Sequence, residues 1–460
     1  MSVLVALGAL ALLMFVAYRG MSVILFAPVC ALLAVLLTDP ALVPPMFSGI
    51  FMENLVGFLK LYFPVFLLGA VFGKVIELSG FSKSIVAAAV RVVGAERAIL
   101  TIVLVCALLT YGGVSLFVVV FAVYPFAAEM FRRSDIPKRL IPATIALGAF
   151  TFTMDSLPGS PQIQNIIPTT FFKTTAWAAP WLGLIGSMFI LGVGLAYLEW
   201  RRRRAVGEGY GVDLKQEPEP FAEERLPPPA VALLPLLLVG VLNKVFTILI
   251  LRSYGTSHST TLASGKTLTT DVAKLASIWA VEGALLVGIL TVVALAFKPI
   301  RARFREGSQA AIGGSLLASL NTASEYGFGG VIAALPGFLS IAAALKSIPH
   351  VLVNEAVTVT TLAGITGSAS GGMSIALALM SDTFIAAAHA AQVPLEVLHR
   401  VASMASGGMD TLPHNGAVIT LLAVTGLTHK TSYVDIFAIT CVKTAAVFVV
   451  IGAYCLFGIV

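Results

Sequence analysis

Apolar residues fill this chain in long blocks, at 22–38, 98–111, 114–130, 177–198, 231–251, 276–297 and 433–457, and most charges gather where the blocks end. About 20 consecutive apolar residues cross a bilayer as a helix, and such a helix shows no polar face along its length. The pattern predicts an all-α polytopic membrane protein, with further spans at 2–17, 54–79 and about 325–345. Two stretches read differently. Residues 98–130 carry basic residues beyond both ends and turn at Tyr111-Gly112-Gly113, which predicts a re-entrant hairpin that turns within the membrane. A second hairpin is predicted over about 351–390, turning at Ser368-Ala369-Ser370-Gly371-Gly372. Two more crossings are interrupted: about 138–176, broken at 154–162, and about 394–430, broken near 409–416.

Charge orients these elements. Arg132, Arg133, Lys138 and Arg139, then Arg201 to Arg204, then Lys298, Arg301, Arg303 and Arg305 form short basic loops that mark the cytoplasmic side. The net charge of +6 is therefore a topology signal, with no basic face interleaved with aromatics and no nucleic-acid partner implied. Residues 201–228, with Glu217-Pro218-Glu219-Pro220 and Pro227 to Pro229, read as a cytoplasmic linker between a first half, 1–200, and a second, 229–460. The stretch 252–274, rich in Ser and Thr, reads as an external polar loop. Only 11% of residues are charged and 58% are hydrophobic, against roughly 25% and 45–50% in soluble domains. The lipid bilayer is thus the solvent, and a multi-pass protein of the cell (inner) membrane is expected. The N-terminal block lacks a basic lead and reads as a first membrane helix. Cys30, Cys106, Cys441 and Cys455 show no CxxC spacing and read as small buried hydrophobes.

The two halves repeat. Met154-Asp155-Ser156-Leu157-Pro158 returns as Met409-Asp410-Thr411-Leu412-Pro413, Phe72-Gly73-Lys74-Val75-Ile76 as Phe328-Gly329-Gly330-Val331-Ile332, and Gly112-Gly113-Val114-Ser115 as Gly371-Gly372-Met373-Ser374. Five spans and one hairpin in each half place the second half upside down relative to the first. Inverted repeats with broken helices are a common transporter architecture, with the site near the midplane.

The breaks carry the candidate chemistry. A carboxylate at a helix centre costs roughly 2.5–3.5 kcal/mol on insertion scales, so Asp155 and Asp410 need a compensating role. One role is coupling of an ion, with His414 as a further proton carrier; the other is capping of the half-helix that follows each break. Each Gly-Gly-x-Ser turn starts a helical arm whose free N–H groups favour a carboxylate. Gly112, Gly113, Ser115, Ser368, Ser370, Gly371, Gly372 and Ser374 are accordingly candidate substrate-binding residues; the same glycines also suit tight helix packing. Ser156, Gln162, Asn165, Thr411 and Asn415 extend the list, and Gln162, Gln164 and Asn165 suit substrate hydroxyls. Glu325 and Glu355 are weaker candidates, read as lying near a membrane boundary.

The runs Ala405-Ser406-Gly407-Gly408-Met409-Asp410-Thr411-Leu412-Pro413-His414-Asn415-Gly416, Ile365-Thr366-Gly367-Ser368-Ala369-Ser370-Gly371-Gly372 and Asp155 to Asn165 resemble the gluconate permease family of the ion transporter superfamily. The resemblance covers nearly the whole chain. It implies proton-coupled symport of small sugar acids or hydroxy acids, a scaffold and a moving transport domain, and a homodimer. The first break departs from gluconate permeases proper, whose corresponding stretch is rich in His and Pro. The wording Asp410 to Gly416 is closer to branches named for hydroxybutyrate.

The expected function is a secondary active transporter, a cation symporter of a small hydroxy-monocarboxylate or sugar acid working by an elevator motion. H⁺ is the expected coupling ion and Na⁺ its rival; no other cofactor, no metal and no enzymatic activity are implied. The alternatives are a Na⁺-coupled di- or tricarboxylate transporter and an anion channel.

Overall fold

The computed structural model describes residues 2–19, 21–94, 97–114, 116–211, 226–337, 340, 348–366, 368–413 and 415–460. Ser115, His414, most of the predicted linker and part of the span expected at 325–345 lie outside the described residues. Six helices are long and apolar enough to cross a membrane among those described, and the all-α polytopic assignment holds.

The chain opens with α1 (Ser2–Tyr18) and α2 (Val23–Thr38), which stops where the Asp39 carboxylate accepts from Ala41 N at 3.0 Å. A 3-10 turn at Pro40–Leu42 follows, then a wider π turn at Met46–Phe51, which runs into α3 (Met52–Leu78). Helical structure thus begins well before position 54, the expected start. Pro40, Pro44 and Pro45 mislead in the sequence: in a helix's first turn no N–H is required, so proline is tolerated there. Next come α4 (Phe81–Val93), α5 (Ala98–Tyr111) and α6 (Leu116–Arg133), with Gly113 at φ +92 between the last two. The first interrupted stretch comprises α7 (Ile141–Ala149), α8 (Phe152–Asp155) and α9 (Ile163–Phe172), and α10 (Pro180–Arg204) closes this part.

After α11 (Pro229–Tyr254) the expected polar loop is instead a two-stranded antiparallel hairpin, β1 (Ser257–Thr261) and β2 (Thr267–Asp271), with Ser257 opposite Asp271. Threonine favours extended backbone, but nearly every position here is exposed, so no alternation of apolar and polar residues announces the strands. Asp271 then accepts from Lys274 N at 3.1 Å and starts α12 (Val272–Leu295) four residues earlier than expected.

A further correction concerns α13 (Phe297–Ala334). A basic loop at 298–305 and a separate span from about 325 were expected; the chain forms one helix of 38 residues, about 57 Å long. Its small residues lie against α3. A side chain at Gly307 would meet Leu78, one at Gly327 would meet Phe51, and one at Gly330 would meet Asn54, so the two helices run antiparallel in close contact. The rings of Phe58 and Tyr326 meet across this seam in a tilted contact, centroids 5.7 Å apart.

The remaining elements are α14 (Val351–Thr366), α15 (Ala369–Ala390), α16 (Leu395–Gly407), a 3-10 turn at Gly408–Thr411, α17 (Gly416–Thr425) and α18 (His429–Phe457). Cys30 and Cys106 are buried, whereas Cys441 and Cys455, expected to be buried, face outward. They sit on the outer side of α18, where lipid takes an apolar side chain as readily as the protein interior does.

At one end of the bundle the basic residues are organised around one buried acid. Asp435, near the start of α18, accepts from Tyr197 Oη at 2.8 Å, Arg201 Nε at 2.5 Å and Arg139 Nη1 at 3.3 Å, joining α18 to α10 and to the segment before α7. Arg139 also grips Glu208 with two hydrogen bonds, 3.1 and 3.0 Å, and holds that carboxyl below the usual glutamate range. Removing one partner from a buried ion pair costs about 3–5 kcal/mol. Arg139 and Arg201 keep a quarter of their surface exposed, so Asp435→Ala is expected near the low end, about 3 kcal/mol. Thermal unfolding of the purified variant should show a clearly lowered midpoint, and Tyr197→Phe, which removes one neutral hydrogen bond, a much smaller change.

Candidate functional site

The two breaks meet inside the protein. Pro158, Gly159 and Pro161 prevent α8 from continuing into α9; Gly159 takes φ +79, and a side chain there would collide with the Trp177 ring. The freed backbone groups are satisfied locally, as they must be away from water. Asn165 Nδ2 donates to Ser160 O and Ala176 O at 2.9 Å each, Asn243 Nδ2 to Gly159 O at 3.0 Å, and Ser160 Oγ to Thr153 O at 2.6 Å.

Helix α16 braces this break from the second half of the chain. Arg400, fully buried, donates to Asp155 O at 3.0 Å, Asn165 Oδ1 at 3.0 Å and Ala178 O at 2.7 Å. His399 bonds Thr174 Oγ1 at 2.6 Å and Asn165 Oδ1 at 3.2 Å, and Ser403 Oγ lies within reach of Asp155 O at 2.8 Å and Gln164 O at 2.9 Å. Neither Arg400 nor His399 was singled out in the sequence.

The two repeated aspartates have different surroundings. Asp155 ends α8, and its carboxylate has no hydrogen-bond partner among the described residues; its neighbour is the ammonium of Lys443 on α18, 3.4 Å from Oδ2. Gly407 permits this approach, since a side chain there would overlap the Asp155 carboxylate. Asp410 instead accepts from Ala369 N, the first residue of α15, at 3.1 Å, from Gln164 Nε2 at 2.8 Å and from Asn415 Nδ2 at 3.4 Å. Neither caps the half-helix after its own break. Asn415 caps α17 by accepting from Ala417 N at 2.7 Å, and α9 has no side-chain cap.

The start of α15 gathers further polar groups. Ser368 Oγ accepts from Gly371 N at 3.1 Å, and Ser370 Oγ lies 3.5 Å from Ser368 Oγ and 3.4 Å from Thr322 Oγ1. Glu325, on α13, reaches over Gly371, where a side chain would overlap its Oε2. Several buried atoms around this terminus have no partner among the described residues: Gln164 Oε1, Glu325 Oε2, Ser324 Oγ and Ser374 Oγ. Glu325 and Glu355 are both buried inside the protein and not at its periphery. Gly372 lies where a side chain would strike the backbone of Ala363, so it lets the two arms of the 351–390 stretch approach closely.

The other candidates lie further out. Gln162 Nε2 donates to Thr110 O at 2.7 Å and to Val114 O at 3.4 Å, and so holds the turn that contains Gly112 and Gly113. Gly112 packs against Leu236, and Gly113 against Leu285 and Pro161. Ser156 Oγ donates to Gly183 O at 3.2 Å, and Thr411 Oγ1 bonds Thr440 Oγ1 at 2.6 Å. The structure therefore gathers Asp155, Gln164, Asn165, Ser368, Ser370, Gly371, Asp410 and Asn415 into one connected region and leaves Ser156, Gln162 and Thr411 as braces around it. No cluster of His, Cys, Asp and Glu suited to a metal ion occurs among the described residues.

Comparison with known proteins gives this polar interior a context. No model of a known protein family matches the chain. A solved structure, of the YdaH transporter of Alcanivorax borkumensis, aligns over 92% of this chain and 90% of its own with a TM-score of 0.48 and 16% sequence identity. The uncharacterized transporter YxjC of Bacillus subtilis (strain 168) is 59% identical over 472 residues, covering the whole of both chains. With that identity along its full length, and with a buried polar region between membrane-spanning helices, the chain belongs to the transporter family of YxjC.

Proposed function

We propose that this transporter is a secondary active symporter of a small hydroxy-monocarboxylate or sugar acid, driven by H⁺ across the cell membrane. The observation that carries this reading is the start of α15. A helix N-terminus attracts a carboxylate, and Ala369 N already donates to one, that of Asp410, at 3.1 Å. Beside it the buried acceptor Gln164 Oε1 has no partner among the described residues, and buried polar atoms are nearly always paired. A substrate whose carboxylate takes the place of Asp410, and whose hydroxyl donates to Gln164 Oε1, satisfies both. Two carboxylates crowded at one helix terminus do not both stay ionised. Substrate entry therefore favours proton uptake by Asp410, which couples the two movements. The resemblance of the second break, Asp410 to Gly416, to branches of the gluconate permease family named for hydroxybutyrate supports the same substrate class.

Three features support the mechanical half of the proposal. The order of elements from α5 to α10 recurs from α14 to α18, with the 3-10 turn at Gly408–Thr411 in the place of α8, and α3 and α13 run antiparallel along each other, as inverted repeats require. The turns at 112–113 and 368–372 face the two breaks of their own halves, through Gln162 and through Asp410. The α3–α13 pair is then the fixed scaffold, the two hairpins and broken helices move as a unit, and the homodimer forms through the scaffold.

The test is uptake of labelled gluconate and 3-hydroxybutyrate into proteoliposomes under an inward proton gradient without Na⁺. Accumulation that collapses with the gradient is expected for at least one of them; accumulation that needs Na⁺ would contradict the coupling, and none of either acid the substrate class. Asp410→Asn keeps an acceptor for Ala369 N but cannot take up a proton. It should abolish gradient-driven accumulation and retain exchange of substrate across the membrane. Gln164→Leu removes the proposed hydroxyl acceptor, a hydrogen bond worth about 1–1.5 kcal/mol. Its KM for the hydroxy acid should rise about tenfold, with uptake of the matching unhydroxylated acid changed far less.

A further inference from the structure

Lys443 occupies an unusual position for a charged side chain. It lies in the middle of α18, 1% exposed, and its Nζ donates to Phe150 O at 2.5 Å and to Gly407 O while facing the Asp155 carboxylate at 3.4 Å. Phe150 follows the last residue of α7, and Gly407 is the last residue of α16. Two helix C-termini, each carrying partial negative charge, and one carboxylate therefore converge on a single point inside the membrane. Such a point needs a cation: unwound carbonyls and half-helix C-termini are the groups that hold Na⁺ in other transporters with broken helices. The three oxygens come from the two broken stretches, and the cation comes from a third element that is itself unbroken. Among the described residues the hydrogen-bond partners of Asp410 are N–H donors, from Ala369, Gln164 and Asn415.

We infer that Lys443 is a tethered cation filling a monovalent-cation site formed by Phe150 O, Gly407 O and the Asp155 carboxylate, so that no free Na⁺ binds there in this protein. The inference rests on the reading of the two breaks as an ion-coupled site and specifies it: the charge that balances Asp155 travels with the protein. Shortening Lys443 removes the ammonium and leaves a small cavity lined by oxygen atoms, which a hydrated Na⁺ can enter and fill.

The experiment compares the thermal unfolding of the purified full-length protein in sodium chloride and in choline chloride, for the unaltered chain, Lys443→Ala and the double variant Lys443→Ala/Asp155→Asn. A ligand that binds only the folded state raises its unfolding midpoint in proportion to occupancy. Sodium should raise the midpoint of Lys443→Ala by several degrees over choline, saturably, and leave the other two proteins unchanged. Equal midpoints of Lys443→Ala in the two salts overturn the inference. Sodium stabilisation of the unaltered chain, or of the double variant to the same extent, also overturns it. So does a Lys443→Ala protein that folds in neither salt, since a free cation then cannot replace the amine. Because no transport is measured, failure of the proposed substrate leaves this outcome intact, and failure here leaves carboxylate uptake to be judged on its own.

Discussion

The buried contact between Asp155 and Lys443 organises the centre of this protein. An isolated charge inside a membrane protein is costly, and a paired one is tolerated only where geometry and further hydrogen bonds complete its solvation. Here the ammonium is completed by two helix C-terminal carbonyls, and the carboxylate is approached closely because residue 407 is glycine. The pair joins α8 of the first break to α18, and with Arg400 and Ser403 on α16 it locks the two halves of the chain together at their interruptions. Without such cross-bracing the backbone carbonyls of Asp155, Gln164 and Ala178 that flank the first break would lose these partners inside the membrane.

From this follows a division of labour between two aspartates that look equivalent in the sequence. Asp155 is committed to a cation and Asp410 to a helix N-terminus. A carboxylate held by N–H donors can be exchanged for another carboxylate, because the donors are indifferent to which molecule bears the charge. Asp155, paired with a lysine of the same chain, carries its counter-charge with it. Under the proposed function the exchangeable role falls to the second break, where Gln164 from the first break reaches across to Asp410.

Much of this was legible in the sequence. The apolar blocks, the basic ends and the interruptions at Pro158 and Pro413 reflect strong, local constraints: membrane thickness, the positive-inside bias and proline's missing N–H. Asp155, Asp410 and Asn165 stood out because a polar group in an apolar run is conspicuous. Lys443 stood in an apolar run as well, and a charge in mid-span is itself the signal that was passed over; Arg400 carried the same signal. What the sequence could not show is pairing. Nothing local tells that Asp155 meets Lys443, 288 positions away, or that Asp410 caps α15 and not the half-helix beside it. The strands at 257–271 and the unbroken course of α13 were missed for a different reason. Their periodicity is weak: the strands are exposed almost throughout, and α13 crosses from a charged segment to a small-residue segment without a break signal.

The central claim is that the start of α15 is a carboxylate site which Asp410 fills until substrate replaces it. A structure of the protein in lipid nanodiscs, saturated with the hydroxy acid it is found to transport, tests this most directly. The account predicts the substrate carboxylate within hydrogen-bond distance of Ala369 N, its hydroxyl on Gln164 Oε1, and the Asp410 side chain turned away from both. A bound substrate elsewhere in the protein, with the Asp410 to Ala369 hydrogen bond intact, would contradict it.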